Sequence, residues 1–201
     1  MRYFNENNVE ISKAKFEEKL SGKSFVKISG DSLHHKKLIF REKLGKLTNK
    51  PKFEALLSKA TGREIDSDKP IVILYYPGED YCNNSGGGSS YRKRVKIHHD
   101  KFKEDLYKLA EVKPFYIYKD NKGLDKYGDL LNWKKDPEGT IERLFFERHY
   151  PCSSFVVVSK DGYYISYFGE FWFASVLKAT QILESSSKLT NLETYKSPIE
   201  N

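Results

Sequence analysis

The run Pro70-Ile-Val-Ile-Leu-Tyr-Tyr76 constrains the fold more than any other stretch. A near-continuous apolar segment of this length reads as a strand buried on both faces, the kind found inside a sheet covered by helices on two sides. The segment after it is of another character. "PGEDYCNNSGGGSSY", from Pro77 to Tyr91, holds turn formers, two acids, a cysteine, three consecutive glycines and the signals of a helix start. Three kinds of chemistry fit such a crossing: a redox site at Cys82, a phosphate-binding loop at Gly86-Gly87-Gly88, or a flexible surface connection.

Beyond the crossing the pattern alternates. A helix is predicted from about Ser90, with Phe102, Leu106, Leu109 and Ala110 on its core face, and "PFYIYK" is the next strand. A polar connection containing "GDLLNWKKDPEG" leads to "TIERLFFER", where Ile141, Leu144 and Phe145 mark a short helix. "SSFVVVS" and "YYISYFG" form a hairpin about "KDG". The last helix has Phe173, Val176, Leu177, Thr180 and Leu183 on one side. The resulting order, β-α-β-α-β-β-α, joins a parallel half to an antiparallel half and gives an α/β fold.

Residues 1–65 read as an N-terminal α+β extension, 66–185 as the main domain and 186–201 as a polar C-terminal tail. In the extension Ser12 is a helix N-cap, and Ile11 with Phe16 forms a hydrophobic staple. Phe16 and Leu20 share a face. Lys23–Ser29 and Lys36–Glu42 are half-exposed strands joined by "GDSLHH". Phe53, Leu56, Leu57 and Ala60 form a helical stripe that Gly62 ends.

The chain carries 35 Lys and Arg against 28 Asp and Glu, a net charge of +7, with short clusters at His34–Lys37 and Arg92–Arg94. No zinc-finger spacing, RNA-binding glycine-aromatic signature or basic zipper accompanies them. They read as a solvated basic surface, and nucleic acid is not an expected partner. No apolar run reaches the ~20 residues of a membrane span. "MRYFNENNVEISKAKF" lacks an export-signal pattern; this reads as cytoplasmic as written, periplasmic or secreted if a signal was trimmed. Two cysteines, Cys82 and Cys152, are too few for a disulfide scaffold or a four-thiolate metal site. They form one bridge or stand as two thiols.

The glycine triplet matches neither the Walker nor the dinucleotide-binding pattern, since no Lys occupies the required place and positions 86–91 read GGGSSY. His98 and His99 are adjacent on a predicted helix and diverge by about 100°. Cys82, Cys152 and His149 have the donor chemistry for copper or zinc but no ligand spacing. No metal and no cofactor is expected. Trp133 is expected to pack the polar connection onto the body and Trp172 to cap the last helix, with lining a partner-binding groove as the alternative for either.

"IVILYYPGEDYC" resembles the strand and loop that deliver the reactive cysteine in the redoxin and peroxiredoxin branch of the thioredoxin-like fold. "DPEGTIERLFFERHYPCSSFVVVSKDGYYISYFGEF" is similar to the redoxin stretch of short helix, proline, strand, "DG" turn and strand. The resemblance covers residues 66–185 and implies a thioredoxin-like core, a mixed sheet flanked by helices. It further implies Cys82 as nucleophile and Cys152 as resolving thiol close to it. Tyr150-Pro151 would be a cis peptide, and Tyr81, Tyr150 and Pro151 would shape the substrate groove. The implied activity is that of a thiol–disulfide oxidoreductase or peroxidase with a protein disulfide or thiol as partner; a non-catalytic thioredoxin-like binding or scaffold protein is the alternative.

The sequence departs from the family pattern at named positions. Ser85 stands where thioredoxins have their second cysteine, and Glu79 where peroxiredoxins have Thr or Ser. "HYPCSSF" lacks their arginine, although Arg148 and His149 lie just upstream. Glu79 and Asp80 oppose a low Cys82 pKa, and the glycines set the helix start at Ser89 or Ser90, beyond the reach of its dipole.

Overall fold

The structure is a computed structural model and describes residues 1–22 and 24–185. Lys23 and the expected polar tail lie outside the described residues. The chain divides into two compact units, one of Met1–Lys43 and one beginning at Leu44.

In the first unit, β1 (Arg2–Phe4), β2 (Glu10–Ile11), α1 (Lys13–Ser21), β3 (Phe25–Ser29) and β4 (His35–Phe40) form a small α+β body. Its sheet has the order β2-β1-β4-β3, with β1 parallel to β4 and the other pairs antiparallel. Ser12 caps α1 as its sequence predicts, its Oγ accepting from the Lys15 N–H at 3.2 Å. Phe16 is buried against the Tyr3 ring, and Leu38 is fully enclosed. The expected strand Lys36–Glu42 does not run through. β4 ends at Phe40, and a new strand, β5 (Glu42–Lys46), leaves for the second sheet.

The second unit continues with α2 (Lys50–Thr61), β6 (Ile71–Tyr76), α3 (Gly88–Ala110), β7 (Phe115–Tyr118), β8 (Trp133–Lys135), α4 (Thr140–Phe145), β9 (Ser154–Val158), β10 (Tyr163–Tyr167) and α5 (Phe173–Ser185). The six strands are ordered β5-β10-β9-β6-β7-β8. β6, β7 and β8 are parallel, while β9 runs antiparallel to β6 and to β10. The central order β10-β9-β6-β7, with a helical crossover from β6 to β7 and a hairpin from β9 to β10, is that of a thioredoxin-like core. β5 and α2, which the sequence pattern groups with the first 65 residues, contribute to this sheet and core. A Cβ at Gly45 would run into the Tyr164 ring, so β5 needs glycine there to lie beside β10.

Every residue of β6 is buried, as its unbroken apolar run demands. Its side chains alternate between two covered faces. Tyr75 stacks on Phe146 at 4.7 Å, on the side where Phe145 meets Phe53 of α2. Tyr76 meets Trp133 on the opposite side, where Phe102 of α3 stacks on Phe173 of α5 at 4.3 Å. Trp133 also touches Tyr116 and Tyr127, and thereby packs the polar connection onto the body as expected. Two expected core residues are not enclosed: Leu109 and Leu144 are 37% and 39% exposed, because the buried stripes run through Phe102-Leu106-Ala110 and Ile141-Phe145. Trp172 gives its carbonyl to the Ser175 N–H at the start of α5, but its ring stays in solvent. No helix among the described residues is long and apolar enough to cross a membrane.

Asp136 fixes the approach to the second loop of the candidate site. Its carboxylate is buried and accepts from the Ile141 and Glu142 N–H groups, both at 2.9 Å, so it caps the first turn of α4. Burial pushes this carboxyl above its ordinary range while the two N–H groups pull it back. Asp136→Ala leaves both donors without their acceptor. The expected loss is about 1–2 kcal/mol in urea unfolding, with Asp136→Asn losing less.

Candidate functional site

The end of β6 and the start of β9 are brought side by side by their register, Tyr75 opposite Ser154. The loop that leaves β6 and the loop that enters β9 therefore meet at one end of the central strands. Cys82 lies in the first and Cys152 in the second. They form a disulfide, with Cα atoms 5.7 Å apart across a sequence separation of 70, within the usual span for such a bond. Both residues are partly exposed.

Polar contacts bind the same two loops. Asn83 folds the first one: its Oδ1 accepts from the Asp80 N–H at 2.7 Å, and its Nδ2 donates to the Gly78 carbonyl at 3.0 Å. The same Nδ2 reaches across to the Cys152 carbonyl at 2.9 Å. Asp80 makes the crossing in the other direction. Its Oδ2 accepts from the Cys152 N–H at 2.9 Å, while Oδ1 lies 2.8 Å from His149 Nε2. Lys126 donates through Nζ to the Asn83 carbonyl. Glu79 turns outward to an ion pair with Lys122 at 2.9 Å.

Among the described residues there is no cis peptide, so Tyr150-Pro151 is trans where the resemblance implies cis. The chain reverses at the next residue instead. Cys152 has a φ of 76°, and the Ser153 N–H donates to the Pro151 carbonyl at 3.0 Å, which closes a three-residue γ-turn. A positive φ at a non-glycine residue stores strain, and the Asp80 and Asn83 hydrogen bonds hold both sides of that residue's backbone. Tyr150 is buried and stacks on Phe168 at 4.3 Å. Pro151 is exposed, and Tyr81 is 82% exposed beside Cys82.

α3 begins at Gly88, one or two residues ahead of the expected start. Gly86, at φ 102°, passes so close to the Tyr91 ring that a Cβ would collide with it. This glycine lets the loop cross over Tyr91. The ring belongs to the wall of a cavity of about 330 Å³ that also includes both cysteines, Tyr127, Trp133 and Phe173. Tyr81, Tyr150 and Pro151 are not among the described residues that line it. Lys126 lines it, and burial pulls its ammonium below the usual lysine range.

Residue type singles out the two cysteines in the sequence but not the residues that tie their loops together. By position alone Asp80 is only an unfavourable charge beside Cys82; its carboxylate is instead turned to Cys152 and His149. Asn83 gives no signal beyond its turn-forming type. Both sulfurs of the Cys82, Cys152 and His149 set are consumed by the disulfide. Among the described residues no cluster of three His, Cys, Asp or Glu side chains could hold an ion.

His99, another residue of the cavity wall, has Nδ1 2.9 Å from the Tyr116 hydroxyl and its ring edge-on to Phe173 at 4.8 Å. Burial, helped by Lys103, pulls its pKa down to about 4. The unfolded chain binds a proton here near pH 6.5, the folded chain only near 4. Stability from this residue is therefore complete above about pH 6.5 and is lost as pH falls through that window, by up to about 3 kcal/mol. In urea unfolding, the stability difference between the wild type and His99→Asn is expected to narrow by that order from about pH 7 to about pH 4. A difference constant with pH contradicts it. No family model, curated protein or solved structure matches the chain.

Proposed function

We propose that this chain is a thioredoxin-like thiol–disulfide oxidoreductase that cycles through the Cys82–Cys152 bond. The observation that carries the reading is the position of that bond. It is partly exposed, joins the loop after the central strand to the turn before β9, and borders a cavity. In the reduced state the Cys82 thiolate attacks one sulfur of a substrate disulfide. A mixed disulfide forms, and the first substrate thiolate leaves. Cys152 then loses its proton, attacks the Cys82 sulfur and expels the second thiolate. The substrate gains two electrons, the protein is left with its internal disulfide, and an external dithiol is needed to reset it.

The choice of Cys82 as attacking thiol follows the resemblance. Disulfide exchange fits better than peroxide reduction, because Glu79 occupies the Thr or Ser position of peroxiredoxins and is turned away to Lys122. Asp80 and Asn83 favour a rapid cycle: their hydrogen bonds are to the Cys152 backbone and not to its sulfur. They keep the second thiol near the first after reduction, which raises its effective concentration.

The test is turnover of a protein disulfide with excess dithiol by the wild type and by single cysteine variants. Cys82→Ser is expected to abolish turnover. Cys152→Ser is expected to accumulate a mixed disulfide on Cys82, visible as an adduct by intact mass. Unchanged turnover in Cys82→Ser, or no adduct in Cys152→Ser, favours the non-catalytic alternative, in which the bond is only a staple closing a long loop. Asp80→Ala and Asn83→Ala are expected to slow the resolving step about tenfold, read as longer-lived mixed disulfide.

A further inference from the structure

The cavity beside the disulfide has a chemistry that thiol exchange alone does not require. Among the flat rings on its wall are Tyr91, Tyr127, Trp133 and Phe173. Tyr91 lies 6.1 Å from Tyr127, which lies 6.0 Å from Trp133, so three of these rings adjoin one another. A volume of about 330 Å³ is at the lower end of the range for small-molecule sites. Polar groups break the aromatic lining, and two of them bear on a ligand. The Lys126 ammonium is half-buried and uses one donor on the Asn83 carbonyl, which leaves two others. The Trp133 indole N–H is buried and has no hydrogen-bond partner among the described residues. Glu170, the acid on the lining, is exposed. His99 is neutral near pH 7 because burial holds its pKa at about 4. The half-buried charge of the recess is therefore positive, and the buried polar atoms of its lining residues that lack a partner among the described residues, the Trp133 indole N–H and the Tyr75 hydroxyl, can both donate.

We propose that this cavity is a specificity site for the aromatic, anionic arm of a small disulfide, with the ring seated among Tyr91, Tyr127, Trp133 and Phe173 and its carboxylate facing Lys126. The inference rests on the thiol–disulfide reading for the reaction, but not for the binding. Aromatic walls favour a planar group through stacking. A half-buried ammonium favours an anion through a charge-assisted bond. With the arm seated, its disulfide reaches the cysteines that share the wall. Cys82 attacks the disulfide and releases one aryl thiolate; Cys152 then attacks the Cys82 sulfur and releases the other, leaving the internal bond. An external dithiol supplies the electrons for the next cycle.

Binding is tested without chemistry. The chain has two tryptophans, Trp133 and Trp172, so Trp172→Phe leaves Trp133 as the sole indole. Titration of this variant with ortho-nitrobenzoate, which has no sulfur, is expected to quench its fluorescence saturably. Adding Lys126→Met is expected to weaken the affinity about tenfold, the loss of one charge-assisted bond, and adding Tyr91→Ala to weaken it independently. Propionate and nitrobenzylamine, which lack the ring or the negative charge, are expected to bind about tenfold more weakly or not at all. Quenching that stays linear, or equal affinity for nitrobenzylamine, overturns the proposal.

A second arm reads the reaction. Reduction of dithiobis(nitrobenzoate) by the reduced protein is expected to saturate with substrate, and in Lys126→Met to saturate only at about tenfold higher concentration. A linear wild-type response overturns the substrate assignment. If Cys82 and Cys152 prove unable to cycle while ortho-nitrobenzoate still binds, the thiol–disulfide reading fails and the cavity assignment stands.

Discussion

The site depends on the burial of β6 on both faces. Ile71–Tyr76 can be enclosed only if it has strands on both edges and helices above and below, and β7, β9 and the two helical layers supply them. The parallel neighbour β7 requires a helical crossover, so the chain must leave β6 by a loop at the strand's C-terminal end. The antiparallel neighbour β9 begins at that same end, with Ser154 opposite Tyr75. The two loops are neighbours as a consequence of strand direction. Cys82 and Cys152, 70 residues apart, come within bonding distance for that reason and not through any local motif.

Once the loops are neighbours, the polar groups on them decide how they are held. Asp80 and Asn83 take both the N–H and the carbonyl of Cys152. Cys152 has a positive φ, a conformation that a non-glycine residue keeps only when its surroundings fix it. The same contacts hold the strained turn in place, beside the Cys82–Cys152 bond. Here a trans Pro151 followed by the Cys152 turn makes the reversal.

Much of the core is legible in the sequence because it is written in periodicity. The unbroken run of β6, the stripe of α3 and the hairpin about Gly162 each follow from residue type at fixed spacing. The errors fall where spacing is a weaker guide than neighbours. Leu109 and Leu144 are apolar and helical, yet they flank stripes already complete without them. The strand expected at Lys36–Glu42 breaks at Arg41 because its two halves serve different sheets, a fact of long-range pairing. At the site, residue type alone points to the cysteines. The roles of Asp80, Asn83 and His149 depend on a loop distant in sequence, and the glycine triplet gains a purpose only from the approach of Gly86 to Tyr91. A single sequence carries no record of those approaches.

The central claim is that the Cys82–Cys152 bond is a working redox couple and not a permanent staple. The most direct measurement is the fraction of native protein carrying the bond, by intact mass after acid quenching, across buffers poised with glutathione and with dithiothreitol. A partly exposed working pair is predicted to titrate reversibly as a two-electron couple above about −300 mV, the region where structural disulfides are rarely found. A bond that stays closed until the chain is unfolded, or a midpoint well below that value, contradicts the account.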